Sequence, residues 1–226
     1  MNTDSKFYQN KPLNLLLIAN STVCICILLT RVFITGKTSF LFLIWNLFLA
    51  WLPFIFSTWI AKVNEQKGGN FKLSILFLVW LLFFPNAPYI LTDLFHFRQR
   101  GMVPLWFDLI LILSFAWNGL MLGFISLMKI QQFLNAKFGT RIGFLFVFAL
   151  LILCAFGMYL GRYMRWNSWD ILTNPSALLA DVGDRFVNPS DHPQTLGITV
   201  SFSGFLIMSY STLYFMIKPY RKPDSE

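Results

Sequence analysis

Residues 73–92 of the chain are LSILFLVWLLFFPNAPYILT, twenty residues without a charged side chain. About 20 apolar residues, rising ~1.5 Å each, cross the ~30 Å hydrocarbon core of a bilayer, so this stretch predicts a membrane-spanning helix. Pro85 and Pro88 interrupt it, because each removes a backbone donor and clashes with the preceding turn. We therefore expect the helix to break at membrane depth and Asn86 to cap a restarted half-helix. With Tyr89, these residues form a candidate broken-helix site.

Five further stretches lack Asp, Glu, Lys, Arg and His in the same way. With the helix ends included, the six predicted spans are residues 13–34, 38–61, 73–92, 106–128, 142–162 and 194–217. The chain is 56% hydrophobic and 12% charged, and a soluble domain carries roughly twice that charged fraction. We therefore predict an all-α membrane protein, a six-transmembrane helix bundle with a Pro-broken third helix, forming a single polytopic domain over residues 1–226. Soluble enzymes and nucleic-acid-binding proteins are excluded.

The short loops that join the predicted spans carry unequal numbers of cations. If the helices alternate, the two tails and the loops 62–72 and 129–141 hold eleven Lys and Arg residues, and the opposite loops hold seven. Because positively charged loops stay in the cytoplasm, both termini are predicted to be cytoplasmic, in a bacterial plasma membrane. The net charge of +8 is then an orientation signal, with attraction to anionic lipid headgroups as a secondary effect.

Most acidic residues and both histidines fall on the predicted extracytoplasmic side. Asp93 and His96, three residues apart, would share one face of the second half-helix, and Asp108 lies at the start of the fourth span. Two carboxylates and an imidazole suit general acid–base catalysis or a divalent metal ion, so these three are the candidate catalytic residues. Asp170 or His192 would complete the set.

The fifth predicted span ends in a polar and aromatic segment. If its helix continues, Arg162, Arg165, Trp166 and Trp169 fall on one face. Together with Asp170, which follows them, they are the candidate anion- or headgroup-binding residues. Arginine with indole rings at a membrane boundary suits a phosphate or carboxylate headgroup. It also suits ordinary aromatic anchoring with snorkelling arginines, so both interpretations stay open.

Structural interpretations compete with the functional ones. Asp93 would pair with Arg98, and Asp170 with Arg165, in plain ion pairs. The Gly119-x-x-x-Gly123 and Gly157-x-x-x-Gly161 motifs offer small faces for close packing of the fourth and fifth spans. The outer loop, residues 166–193, is too short for a domain and has enough apolar residues to lie on the membrane or to cap the bundle.

Three segments carry a resemblance to a known family. They are WLLFFPNAPYILTDLFH at 80–96, WFD at 106–108 with SFAWNG at 114–119, and GRYMRWNSWD at 161–170. Together they resemble the bacterial membrane family called domain of unknown function 1361, over about residues 40–215. The resemblance implies a polytopic architecture, and it implies no activity, cofactor or metal.

Three functional hypotheses remain open. The first is a polar site at the extracytoplasmic face that binds or processes a lipid-linked or anionic small molecule. The second is a transporter or permease with a mid-membrane site at the Pro-Asn-Ala-Pro break, although span interiors without charge disfavour ion-coupled transport. The third is a non-catalytic membrane assembly partner. For the first, we expect Asp93 or Asp108 to lie within ion-pair reach of Arg162 or Arg165.

Overall fold

A computed structural model of the chain describes residues 11–66, 68–97, 103–166 and 169–217. These residues are mostly helical and include no strand. Six helices are long and apolar enough to cross a membrane: Lys11–Thr35, Phe42–Glu65, Asn70–His96, Leu105–Phe138, Thr140–Tyr163 and Pro193–Ile217. The prediction of an all-α, six-span membrane protein is therefore confirmed.

The helices are numbered in chain order. They are α1 (Lys11–Thr35), α2 (Phe42–Glu65), α3 (Asn70–Phe83), α4 (Asn86–Tyr89), α5 (Leu105–Phe138), α6 (Thr140–Tyr163), α7 (Asp170–Thr173), α8 (Pro175–Val187) and α9 (Pro193–Ile217). Two 3-10 helices, Ile90–His96 and Pro189–Asp191, follow α4 and α8. The chain divides into two compact units, Met1–Gly143 and Phe144–Glu226, and the single domain stays a prediction.

Helix α5 is the centre of the first unit. In the most apolar 18-residue part of α5, 67% of the residues are buried, against 22% in the corresponding part of α1. Helix α5 is therefore enclosed by protein, whereas the apolar side chains of α1 are left for lipid. Helices α1, α2 and α4 and the 3-10 helix Ile90–His96 all pack against α5. The helix also continues ten residues past its predicted end at residue 128, as far as Phe138. A lysine ends a charge-free stretch of sequence, but it does not end a helix.

Two buried serines tie the spans of the first unit together. Ser21 of α1 accepts hydrogen bonds from Trp51 of α2 at 3.1 Å and from Asn118 of α5 at 2.8 Å. Ser126 of α5 accepts one from the Trp80 indole of α3 at 2.7 Å and donates to the Pro53 carbonyl of α2 at 2.9 Å. Since a buried polar group without a partner is costly, these bonds fix the register of the helices.

The third span is broken where its prolines predict a break. Helix α3 ends at Phe83, a turn at Phe84 and Pro85 follows, and the chain restarts as the single turn α4. The Asn86 side-chain amide donates to the Phe83 carbonyl at 3.0 Å, which satisfies one of the acceptors left at the break. The predicted break is confirmed, and the Asn86 side chain bonds to the backbone there. The capping position is wrong by one residue, because Pro85 precedes the first helical residue, Asn86.

The break is packed tightly against α5. Ala87 and Pro88 are buried, and a Cβ atom on Gly119 would lie 2.8 Å from the Ala87 carbonyl oxygen. On Gly123 it would lie 3.0 Å from the Ala87 Cβ. The first of the predicted small-residue faces therefore lets the backbone of the broken span approach α5 closely.

In the second unit, α6 ends earlier than the one-face prediction requires. Arg165 adopts a φ of 61°, a left-handed conformation that an α-helix does not contain, and the Trp166 N–H bonds back to the Leu160 carbonyl at 3.2 Å. The helix therefore stops at Tyr163, and the prediction that Arg162, Arg165, Trp166 and Trp169 share one face is wrong. The predicted outer loop is itself largely helical, and α8 alone has thirteen residues.

Candidate functional site

A buried ion pair joins α1 to α5. The Arg31 Nε lies 2.6 Å from Asp108 Oδ1, and its Nη2 lies 3.2 Å from Asp108 Oδ2. Only 1% of Arg31 and 2% of Asp108 are exposed. Asp108 lies in the first turn of α5, where the helix dipole favours a negative charge. The fork-shaped contact uses both carboxylate oxygens and fixes the two helices against each other.

The rest of the Arg31 guanidinium has unusual surroundings. Its central carbon stands 4.3 Å from the centre of the Phe40 ring, a cation–π distance. Its Nη1 atom is buried and has no hydrogen-bond partner among the residues that the structure describes. A buried N–H group without an acceptor costs about 1–3 kcal/mol, so an acceptor placed at this atom would be stabilising.

Asp93 is held by an amide of α2. It lies in the 3-10 helix Ile90–His96 with 1% of its surface exposed, and its Oδ2 accepts a hydrogen bond from the Asn46 side chain at 2.7 Å. The neighbouring Thr92 hydroxyl donates to the Tyr89 carbonyl at 2.7 Å. The Asn46 bond holds the carboxylate, and the Thr92 bond holds the backbone of the 3-10 helix beside it.

His96 packs on an aromatic ring at the start of α2. The imidazole and Phe42 ring centres are 5.2 Å apart in an edge-to-face arrangement. In a 3-10 helix, residues three apart lie directly above one another, so Asp93 and His96 do share a face as predicted. The helix type differs from the predicted α-helix, and the shared face is preserved.

We call the following residues the polar end of the first unit: Arg31, Phe40, Phe42, Asn46, Asp93, His96 and Asp108. We group the three candidate catalytic residues in it because the 3-10 helix that carries Asp93 and His96 packs on α5, which carries Asp108, and also contacts α2. Among the described residues, no three His, Cys, Asp or Glu side chains are arranged to hold a metal ion, so the metal alternative gains no support. Arg98, the partner expected for Asp93, lies outside the described residues.

Helices α1 and α5 bury charged side chains that lie outside the charge-free stretches. Arg31 and Asp108 belong to α1 and α5 and are buried within the first unit. Lys129 is also buried in α5, with its Nζ 2.7 Å from the Thr58 hydroxyl and 3.8 Å from the centre of the Phe54 ring. No carboxylate in the described part of the chain pairs with it. The sequence places Arg31 near the end of the first predicted span and Lys129 in a loop, because each follows directly on a charge-free stretch.

The candidate headgroup residues of the second unit lie on separate elements. Arg162 is in the last turn of α6, and Asp170 is the first residue of α7, where its Oδ1 accepts a bond from the Thr173 hydroxyl at 3.1 Å. The Trp166 indole donates to Asp181 of α8 at 2.8 Å, and Trp169 is exposed. Pairing of Arg162 or Arg165 with a carboxylate of the polar end stays a prediction.

A second acid–base pair links α8 to the start of α9. The His192 Nε2 lies 2.7 Å from Asp184 Oδ2, and the Asn188 amide donates to Asp184 Oδ1 at 2.8 Å. The hydrogen bonds from Asn188 and then from His192 hold the pKa of Asp184 below its usual value. Arg185 donates to the Asp181 carbonyl at 2.6 Å and contacts the Met164 sulfur. The sequence predicts His192 as a possible addition to the candidate catalytic residues. Among the residues that the structure describes, its partner is Asp184.

These features define a polytopic, all-helical integral membrane protein whose first unit buries charged and polar side chains at one end. The chain belongs to the family described as protein of unknown function (DUF1361), whose model matches residues 45–209. The suspected family is thus confirmed. Arg31, Phe40 and Phe42 precede the matched segment, whereas the other residues of the polar end lie within it. No curated protein and no solved structure matches the chain.

Proposed function

We propose that the polar end of the first unit is a binding site for a small molecule that presents an anionic oxygen, such as the phosphate of a lipid-linked substrate. The observation that carries the proposal is the buried Arg31 Nη1 group without an acceptor. Asp108 orients and neutralises the guanidinium through its other two nitrogens. A phosphate or carboxylate oxygen is the natural partner for the donors that remain.

Two further side chains would act on the bound molecule. Asp93, fixed by Asn46, is a candidate general base, and His96 is a candidate proton donor or acceptor on the same face of the 3-10 helix. Arg162 and Arg165 remain candidates for contacts with a headgroup. The excess of cations in the opposite loops supports an extracytoplasmic position for this site, with both termini in the cytoplasm of a bacterial cell.

The packing of the broken span makes a transporter the less favoured function. A mid-membrane transport site needs irregular backbone that lines a cavity. At the Pro-Asn-Ala-Pro break, Ala87 and Pro88 are instead buried against Gly119 and Gly123. The break serves to place the 3-10 helix, and with it Asp93 and His96, at the polar end.

An Arg31→Lys variant tests the carrying observation. Lysine retains the positive charge beside Asp108 but lacks the Nη1 group of Arg31. We therefore expect the variant to fold and to lose the small molecule that we expect to co-purify with the wild type. Protein purified in mild detergent would be analysed by native mass spectrometry, with Arg185→Lys as the matched control. Retention of the same bound species in Arg31→Lys and in the control would overturn the proposal, as would a wild-type protein that carries no bound small molecule.

A further inference from the structure

Helix α8 (Pro175–Val187) bonds its charged residues to its own unit and leaves an apolar side exposed. Its charged residues bond within the second unit: Asp181 to the Trp166 indole, Arg185 to the Met164 sulfur, and Asp184 to His192. A helix at a water-facing surface would turn these charges outward and bury its apolar side. Here Arg185 is largely covered by the unit, and Asp181 and Asp184, 35% and 46% exposed, still bond back to its polar groups.

The outward side of α8 carries no charge. Leu179, Phe186 and Val187 are 69%, 68% and 77% exposed, and Ser176 and Ala180 are exposed beside them. At 3.6 residues per turn these positions form one continuous strip along the helix. Next to it on α7, Leu172 is 80% exposed. An uncharged strip with three large apolar side chains needs an apolar environment.

The depth of α8 identifies that environment. The Phe186 ring lies 5.5 Å from the ring of Phe156, which is seven residues before the end of the membrane-spanning helix α6 at Tyr163. Seven helical residues correspond to about 10 Å, so the Phe186 ring at the C-terminal end of α8 lies beside α6 about 10 Å before that helix ends. The chain also enters the next span, α9, at Pro193, only six residues after α8 ends.

We infer that α8 is an interfacial helix, which lies in the leaflet where α6 ends and inserts the side formed by Leu179, Phe186 and Val187 among the lipid acyl chains. Interfacial helices bury an apolar face about 5–10 Å into this boundary, which agrees with the contact between Phe186 and Phe156. The apolar strip thereby continues the lipid-facing surface of α6. Asp181, Asp184 and Arg185 keep their partners on the protein side. This inference does not depend on the proposed ligand site.

Spin labels in the full-length protein reconstituted in liposomes test the inference. Cys24 and Cys154 are buried, so only the exposed Cys26 needs replacement, by serine. Labels would be placed on Leu179→Cys and Val187→Cys, with Ser190→Cys as the water-facing control and Leu16→Cys on α1 as the lipid-facing reference. Both test positions are exposed, so the label displaces no packed side chain.

The collision rates of each label with oxygen and with a water-soluble nickel chelate give the result. We expect the labels at 179 and 187 to collide with oxygen as often as the reference label at 16 does. Their collision rate with the nickel chelate should be much lower than that of the label at 190. Nickel accessibility equal to that at 190 would show a water-facing helix and overturn the inference. Protection from both reagents would also overturn it, since a protein partner would then cover α8, and dipolar broadening would identify that partner as a second copy.

Discussion

The two acid–base pairs of this protein stand in opposite surroundings. The Arg31 and Asp108 side chains are 2% and 3% exposed, whereas those of His192 and Asp184 are 24% and 46% exposed. In the buried pair, each charge depends on the other because neither has water. In the exposed pair, water replaces a lost partner at little cost. The same chemistry therefore constrains the fold strongly in the first unit and weakly in the second.

Breaking the buried pair should produce the largest effect. Asp108→Ala leaves the Arg31 charge buried without a carboxylate, so we expect the free energy of unfolding to fall by about 3–5 kcal/mol. The measurement is denaturant unfolding in mixed micelles. The double variant Arg31→Met with Asp108→Leu removes both charges and should recover most of the loss. A loss below about 1 kcal/mol for Asp108→Ala would show that water reaches the pair.

A substitution at the break in the third span should produce the second-largest loss of stability. Asn86→Leu removes the donor that satisfies the Phe83 carbonyl, and we expect a loss of about 1–3 kcal/mol in the free energy of unfolding. Asn188→Leu is a suitable control, because this amide lies at the exposed surface. Equal losses in both variants would mean that the hydrogen bond of Asn86 has no special role at the break.

Lys129 sharpens the comparison, because it is a buried cation without a carboxylate partner in the described part of the chain. Replacing a buried charge with an apolar side chain of similar length is often neutral or stabilising. We therefore expect Lys129→Met to change the free energy of unfolding by no more than about 1 kcal/mol, in contrast to Asp108→Ala. A loss as large as that of Asp108→Ala would contradict this and would indicate that Lys129 holds an anion.

Asp184→Asn should have the smallest effect, and the effect should depend on pH. Because Asn188 and His192 lower the pKa of Asp184 in the folded protein, its stabilising contribution is present above the unfolded pKa of the carboxyl. The contribution is lost as the pH falls through the lowered folded pKa. Thermal unfolding of wild type and variant should therefore differ slightly at pH 7 and converge in acid. A difference that grows in acid would refute this account of Asp184.

The sequence predicted the parts of the fold that depend on local pattern. Six charge-free stretches located the six spans, and two prolines located the break, because each reflects a constraint within one segment. The Arg31–Asp108 pair joins residues 77 positions apart, and nothing in either segment specifies how α1 and α5 align. The left-handed turn at Arg165 was equally hidden, since arginine has no preference for that conformation.

The candidate site was predicted in part for the same reason. Asp93 and His96 lie three residues apart, and the break before them fixes their shared face, so local spacing was sufficient. Asn46 and Arg31 come from other helices and carry no motif, and only the structure shows that Asn46 bonds to Asp93 and Arg31 to Asp108. A charged residue at the end of an apolar stretch gives no sign of whether it is buried or in a loop.

The central claim, that the polar end binds a small molecule, is tested most directly by the bound species and thermal stability of an Asp93→Asn variant. Both would be measured on protein purified in mild detergent, by native mass spectrometry and thermal unfolding, with Asp191→Asn as a control at an exposed acid. The account predicts a species bound to the wild type and to the control, lost from Asp93→Asn with its unfolding temperature almost unchanged. An Asp93→Asn variant that keeps the bound species, or that merely unfolds at a lower temperature, would contradict it and make the polar end a structural clasp.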